Sequence, residues 1–183
     1  YYSKFPRVRE WKFKMKEMAK AAGYVEAPHG RRRRFPIFDL YRRNGRYDED
    51  CVPYEFRGAT AEALRQSSNA PVQGIASDFS MLGSAIFAEE IRNQNLPIYI
   101  ENAVHDSCIF LTTADFLEKA LELAEDCFLR RAMEHGSQIW DINFNLPLGV
   151  DFEIGTKWGE LTRWNFAPSE LAEIKSNILK ERS

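Results

Sequence analysis

Residues 97 to 111, PIYIENAVHDSCIFL, join two apolar runs with almost no turn residues between them. Ile98, Ile100 and Val104 precede His105-Asp106, and Cys108, Ile109, Phe110 and Leu111 follow, so β-branched and aromatic content favours strands on both sides. The connection that satisfies both runs is a tight hairpin with Asp106 at its tip. A carboxylate held there binds a divalent cation without first ordering a loop. Asp is also a common turn former, and the residue alone leaves both roles open.

The 183 residues, 44% hydrophobic and 28% charged, suffice for one folded core. No apolar run is long enough to cross a bilayer, and no basic start followed by an apolar stretch marks secretion, so an intracellular protein is expected. Cys51, Cys108 and Cys127 are odd in number and too far apart for a zinc spacing; they suggest neither a disulfide framework nor a metal knot and are expected to be reduced. A net charge of −2 argues against a uniformly basic surface but leaves room for a local basic site. The sequence opens Tyr-Tyr-Ser without an initiating Met, as expected of a processed product or a piece of a longer chain.

Along the chain, Phe5, Val8, Trp11, Phe13, Met15, Met18 and Ala22 stand among many lysines, which fits an amphipathic helix over residues 3 to 22 with the lysines on its wet face and Gly23 at its end. Tyr24 to Glu26 reads as extended, and Pro28-His29-Gly30 as a turn before the run Arg31, Arg32, Arg33 and Arg34. Pro36, Gly45, Pro53 and the acidic cluster Asp48 to Asp50 give residues 35 to 56 the character of an irregular excursion. A short helix over Thr60 to Ser67 is expected to break at Asn69-Ala70-Pro71 before a second runs from Val72 to Asn93, its core stripe being Ile75, Phe79, Leu82, Ala85, Ile86 and Ile91. After the hairpin, Thr113 or Asp115 is placed to cap a helix of about twenty residues that Gly136 stops. A third strand is expected from Pro147 to Ile154, and a last amphipathic helix from Ser169 with Leu171, Ile174 and Ile178 on one side. The order predicts an α+β fold, a small antiparallel sheet carrying Asp106 and covered by helices.

The block RQSSNAPVQGIASDF, followed some thirty residues later by NAVHDS, resembles the C-terminal part of the family A DNA polymerases. YYSKFPRVREW and GYVEAPHGRRRRFP are similar to that family's segment just after its fingers helix, and DFEIGTKWGEL to its last palm strand. The loop from about Ile37 to Phe56 and the tail beyond Leu161 lie outside the likeness. The resemblance implies a single partial polymerase domain: residues 1–70 the end of the fingers and an irregular loop, 71–161 a palm with a catalytic β-hairpin, 162–183 a helical tail. It implies nucleotide addition to a primer 3′ end with two Mg²⁺ ions, Asp106 as a metal ligand, and His105 facing the primer end. A hairpin His satisfied by backbone is the plain alternative for His105. Arg65, Asn69 and Gln73 match polar residues near the duplex, where amides and guanidinium groups suit minor-groove acceptors. Asn69 and Gln73 also suit the cap and first turn of a helix. Arg31, Arg32, Arg33 and Arg34 suit phosphate binding or a solvated surface. Trp11, Trp140, Trp158 and Trp164 are expected in packing, not base stacking.

Two departures matter. Ser107 stands where most members of the family carry a second acid. The family's other catalytic aspartate, in an Asp-x-Ser strand, and its Arg-x-x-x-Lys fingers helix have no counterpart here; Asp78-Phe79-Ser80 imitates the first but falls in a helical segment. Positioning and charge neutralisation are nearly the whole of phosphoryl transfer, so the chain alone is not expected to polymerise. The expected partners are an N-terminal polymerase chain, primer-template DNA and deoxynucleoside triphosphates, with no membrane, in the cytoplasm of a bacterium or phage-infected cell. The rival expectation is a noncatalytic DNA-binding subunit or remnant, and a third is an arbitrary proteolytic fragment.

Overall fold

The structure is a computed structural model and describes residues 3–144 and 148–181. Helices combine with small antiparallel sheets, as the α+β reading requires; among the described residues the strands form four two-stranded ladders. The chain divides into two compact units, one ending at Ser77 and the other beginning at Asp78.

Helix α1 (Pro6–Ala22) opens the first unit. Pro6 occupies its first turn, where a missing N–H is tolerated, and Gly23 closes it at φ +74°, its N–H reaching the Ala19 carbonyl at 2.9 Å. Trp11, Met15, Met18 and Ala19 recur at helical spacing and pack with Val25, Phe35, Phe38 and Ala63. Phe5 and Phe13 do not join that face as the sequence pattern suggests. Phe13 lies two residues from both Trp11 and Met15, about 200° around the helix. It is 66% exposed and Phe5 45%.

Strand β1 (Tyr24–Glu26) pairs antiparallel with β2 (Arg32–Arg34), so most of the arginine run is strand. Residues 35–56 are more regular than the expected excursion: α2 (Ile37–Leu40), a hairpin of β3 (Arg42–Arg43) and β4 (Arg46–Tyr47), and two 3₁₀ turns at Glu49–Cys51 and Tyr54–Phe56. Phe38 accounts for this order, being fully buried with its ring edge-on to Tyr47 at 5.1 Å. Arg42 adds hydrogen bonds to Asp39, to the Gly45 carbonyl and to the Ala21 carbonyl in the last turn of α1.

Helix α3 (Arg57–Asn93) runs unbroken through Pro71, where the sequence predicts two helices. The proline forfeits one i→i−4 hydrogen bond. Burial on both sides outweighs that loss: Ala63, Ser67, Ser68 and Pro71 are covered, and so are Phe79, Gly83, Ile86 and Phe87. The buried Ser67 and Ser68 hydroxyls donate to the Leu64 and Arg65 carbonyls at 2.9 and 3.1 Å. Ala85 is exposed, and Phe87, absent from the expected stripe, is fully buried.

In the second unit, β5 (Ile98–Val104) and β6 (Ser107–Thr112) form the expected hairpin. Helix α4 (Leu117–Asp126), a π-helical turn (Cys127–Arg131) and α5 (Ala132–Trp140) follow as one run. Neither Thr113 nor Asp115 caps it; Phe116 is the N-cap, without a side-chain bond. Gly136 does not end it either. A Cβ at Gly136 would stand 2.5 Å from the Phe79 ring, so this glycine serves close packing inside α5, and Asp141 at φ +51° ends the helix. Strand β7 (Phe152–Ile154) is shorter than expected and pairs with β8 (Thr162–Trp164), a strand within the supposed helical tail; Pro147 lies outside the described residues. Helix α6 (Pro168–Glu181) delivers Leu171 and Ile174 to a core shared with Ile86, Phe87, Ile98, Leu117, Leu121, Phe152 and Ile154. Trp11, Trp140 and Trp164 pack as expected, whereas Trp158 is 75% exposed.

Two outcomes follow from this packing. A Cβ at Gly83 would sit 2.8 Å from the Phe128 ring and 3.0 Å from its Cα, and backbone does not yield as a side chain does. Gly83→Ala is expected to destabilise the protein by about 1–3 kcal/mol in thermal unfolding despite alanine's better helix propensity; an unchanged or raised Tm contradicts the packing. Arg131 and Glu90 form a partly buried ion pair at 2.8 Å. The Glu90 carboxyl is held below its ordinary 4.5, first by the Arg131 hydrogen bond and then by that from Gln94. A depressed native pKa gives stability that is complete above the unfolded value and lost as pH falls through the native one. Glu90→Gln is expected to cost about 1 kcal/mol at pH 7 and progressively less below pH ~4, as read by urea unfolding across pH.

Candidate functional site

The β5–β6 hairpin is fixed at its base and stripped of turn residues at its tip. Ile98 is buried, Phe110 meets Phe87 edge-on at 5.2 Å, and the Thr112 hydroxyl donates to the Pro97 carbonyl at 2.9 Å. Val104 pairs with Ser107, leaving His105 and Asp106 as the whole loop. A two-residue hairpin demands backbone of positive φ, and His105 supplies it at +56°. The register shifts between Ile100 and Asn102, so Glu101 is the extra residue of a bulge that twists the strand toward its tip.

The Ser107 hydroxyl donates to the Val104 carbonyl at 2.8 Å, closing the turn from within. The residue that departs from the family pattern is thereby occupied locally and contributes no charge. Asp106 is exposed, and its carboxylate makes no hydrogen bond or ion pair with the described residues. Among those residues, no group of three His, Cys, Asp or Glu side chains is gathered to hold a metal. Mg²⁺ is usually bound by one or two carboxylates completed by substrate phosphates and water, and one free carboxylate on a rigid turn fits a share of such a site. Burial raises the Cys108 thiol, against an opposing hydrogen bond with Ser84, and pushes Cys127 up to about 11. Both stay protonated at neutral pH and are not nucleophiles.

The remaining candidates lie in the first unit. Arg65, Asn69 and Gln73 step along α3 at intervals of four, so they share one exposed face. Asn69 and Gln73 lie inside the helix, so neither caps it. Arg65 is paired with Glu62, whose carboxyl it and Gln66 hold below the usual range. In the arginine run, Arg32 bonds Glu26 at 2.5 Å and lies over the Tyr24 ring at 4.7 Å. Arg33 and Arg34 are exposed without an ion pair among the described residues, and Arg31 is exposed at the strand's edge. Asp78 belongs to α3, so the Asp-x-Ser imitation is helical.

The profile of DNA polymerase family A matches residues 1–160, and the chain belongs to that family. It is 28% identical over 161 residues to DNA polymerase I of Chloroflexus aurantiacus, covering 88% of this chain and 14% of that protein. It is 30% identical over 158 residues to the thermostable DNA polymerase I of Thermus aquaticus, covering 86% of this chain and 16% of that one. Against the DNA polymerase of Bacillus phage SP01 the identity is 25% over 163 residues, 87% and 16% of the two chains. The POL domain of Pol1 from M. smegmatis, solved in complex with DNA primer-template and dNTP, superposes with a TM-score of 0.56 at 25% identity, covering 71% of this chain and 20% of that one. The chain thus spans 14–16% of the length of these curated relatives.

Removing the Ser107 hydroxyl tests the turn directly. Ser107→Ala is expected to weaken the tip by about 1 kcal/mol, raising amide exchange at Val104 to Ser107 roughly fivefold while the core of the second unit keeps its protection. Uniform exchange across the unit would contradict a local role.

Proposed function

We propose that the chain is the C-terminal portion of a DNA-directed DNA polymerase and that it contributes one metal-binding aspartate and primer-template contacts to template-directed nucleotidyl transfer. The observation that carries this reading is Asp106, exposed and uncommitted at a rigid two-residue turn within the family match. In this reading residues 1–70 close the fingers, 71–161 form the palm with its hairpin, and 162–183 are a C-terminal tail. The other aspartate and the fingers helix come from a separate N-terminal chain, and the assembled enzyme works in the cytoplasm of a bacterium or phage-infected cell.

Asp106 would hold Mg²⁺ in common with that chain; when bound, two such ions supply activation of the primer 3′ oxygen and neutralisation of the leaving pyrophosphate. His105, beside Asp106 on the same turn, donates a hydrogen bond to a sugar or phosphate oxygen at the primer end. Asn69 and Gln73 present amides, and Arg65 a guanidinium, to minor-groove acceptors that every correct pair offers in nearly the same places, so they read pairing and not sequence. Arg31, Arg32, Arg33 and Arg34 hold phosphates through charge, Arg33 and Arg34 most directly because Glu26 already engages Arg32. One observation favours a noncatalytic DNA-binding subunit instead: Ser107 brings a hydroxyl, spent on the turn, where an acid would bring charge.

Primer extension by the assembled two-chain protein separates these readings. Asp106→Asn is expected to lower extension by about a hundredfold or more while primer-template affinity stays within twofold. Extension that survives the substitution overturns the metal role. Primer-template binding that Asp106→Asn leaves unchanged, with no synthesis by the unsubstituted assembly, favours the noncatalytic subunit.

A further inference from the structure

The chain's small net charge conceals a strong separation. Residues 1–77 carry 16 Lys and Arg against 9 Asp and Glu, and residues 78–183 carry 9 against 18. The first unit is therefore +7 and the second −9. Helix α1 concentrates the positive half: from Arg7 to Lys20 there are six cations and two acids.

The face of α1 turned away from the unit's core carries more than charge. Arg9, Phe13, Lys16 and Lys20 recur at intervals of three and four, so they form one stripe along the helix. Phe13, two-thirds exposed, stands between Arg9 and Lys16, and neither cation has an ion pair among the described residues. Phe5, half-exposed with Lys4 near its ring at 5.9 Å, extends the stripe toward the N-terminus, about 12 Å along the axis from Phe13. At the other end, Lys20 borders an open groove of about 420 Å³ that is also lined by Arg42, Arg46 and Tyr47, with Glu17 and Glu49. The exposed ring of Phe13 costs solubility and buries little for the fold. Aromatic faces alternating with cations are the arrangement that binds single-stranded nucleic acid, the rings stacking on bases and the cations tracking phosphates.

We propose that this stripe binds a single-stranded stretch of nucleic acid, with Phe13 stacking on a base and Arg9 and Lys16 on the flanking phosphates. The proposal rests on the DNA-polymerase reading for its ligand class and adds a surface that the Asp106 hairpin, the α3 amides and the arginine run do not include. Charge complementarity selects a polyanion, because six cations on one helix repel basic surfaces and attract a regular row of phosphates.

Fluorescence anisotropy of the full chain against a labelled 18-nucleotide oligothymidine and a blunt 18-base-pair duplex tests it. Phe13→Ala is expected to weaken binding of the oligothymidine roughly tenfold, with its salt dependence unchanged and the blunt duplex affected less than twofold. Arg9→Gln with Lys16→Gln should reduce the salt slope on the oligothymidine by about 1.4. Because Phe13 is exposed, its removal should leave thermal unfolding unchanged. Equal losses on both probes overturn the stacking role, and no loss on either overturns the proposal and leaves the face to a protein partner. If Phe13→Ala does nothing while Arg33→Gln with Arg34→Gln abolishes duplex binding, the stripe fails and the polymerase reading stands; if the unsubstituted chain binds neither probe, the stripe fails, and the polymerase reading, which requires the N-terminal chain, is judged by primer extension.

Discussion

Phe87 is the side chain on which the second unit turns. It is fully buried, meets Phe110 of β6 edge-on at 5.2 Å and lies 6.0 Å from Phe128 in the π-helical turn. Three elements distant in sequence therefore share one aromatic contact, and Gly83, one turn earlier, lets the backbone around Phe128 come close enough to complete it. A two-stranded hairpin is marginal alone in water; here its inner face is anchored to a helix, which makes the tip a fixed point. The positive φ of His105 and the hydroxyl closure by Ser107 are affordable because the base of the hairpin cannot move to relieve them.

The hairpin was legible in sequence because its evidence is local: β-branched and aromatic runs, and too few residues between them for any other turn. Its polar tip followed from the same arithmetic, and the family likeness agreed. Where the reading missed, nonlocal burial had overridden a local signal. Pro71 and Gly136 are breakers by local rules, yet α3 and α5 continue because neighbours of Pro71 are buried and Gly136 lies against Phe79. Phe38 ordered a segment whose Pro, Gly and Asp content reads as loop. The π-helical turn leaves no mark in composition at all.

The site was legible to a different degree. Asp106 stood out by its place between two strand-like runs, whereas Arg65, Asn69, Gln73 and the role of His105 came from the family resemblance. What the sequence did not convey was their availability: Arg65 and Arg32 are already paired with Glu62 and Glu26, whereas Asp106 is uncommitted. The distribution of charge was countable from the start but carried no meaning until the boundary between the units fell between Ser77 and Asp78. Phe13 was hidden in plain view, since an aromatic residue in an amphipathic helix is assigned to the core unless its phase is checked against its neighbours.

The family match ends at residue 160, and the folded body does not. Beyond it, β8 zips onto β7, Trp164 stacks near Phe152 and Phe166, and the Glu170 carboxylate accepts from the Asn165 backbone and side chain to start α6. That helix then covers the core with Leu171 at 5% and Ile174 at 8% exposure. A chain trimmed to the matched residues would leave the apolar side chains that Leu171 and Ile174 cover open to water along the second unit. In this chain the residues that the family model matches are not all of those that close the core, since Trp164, Leu171 and Ile174 lie beyond them.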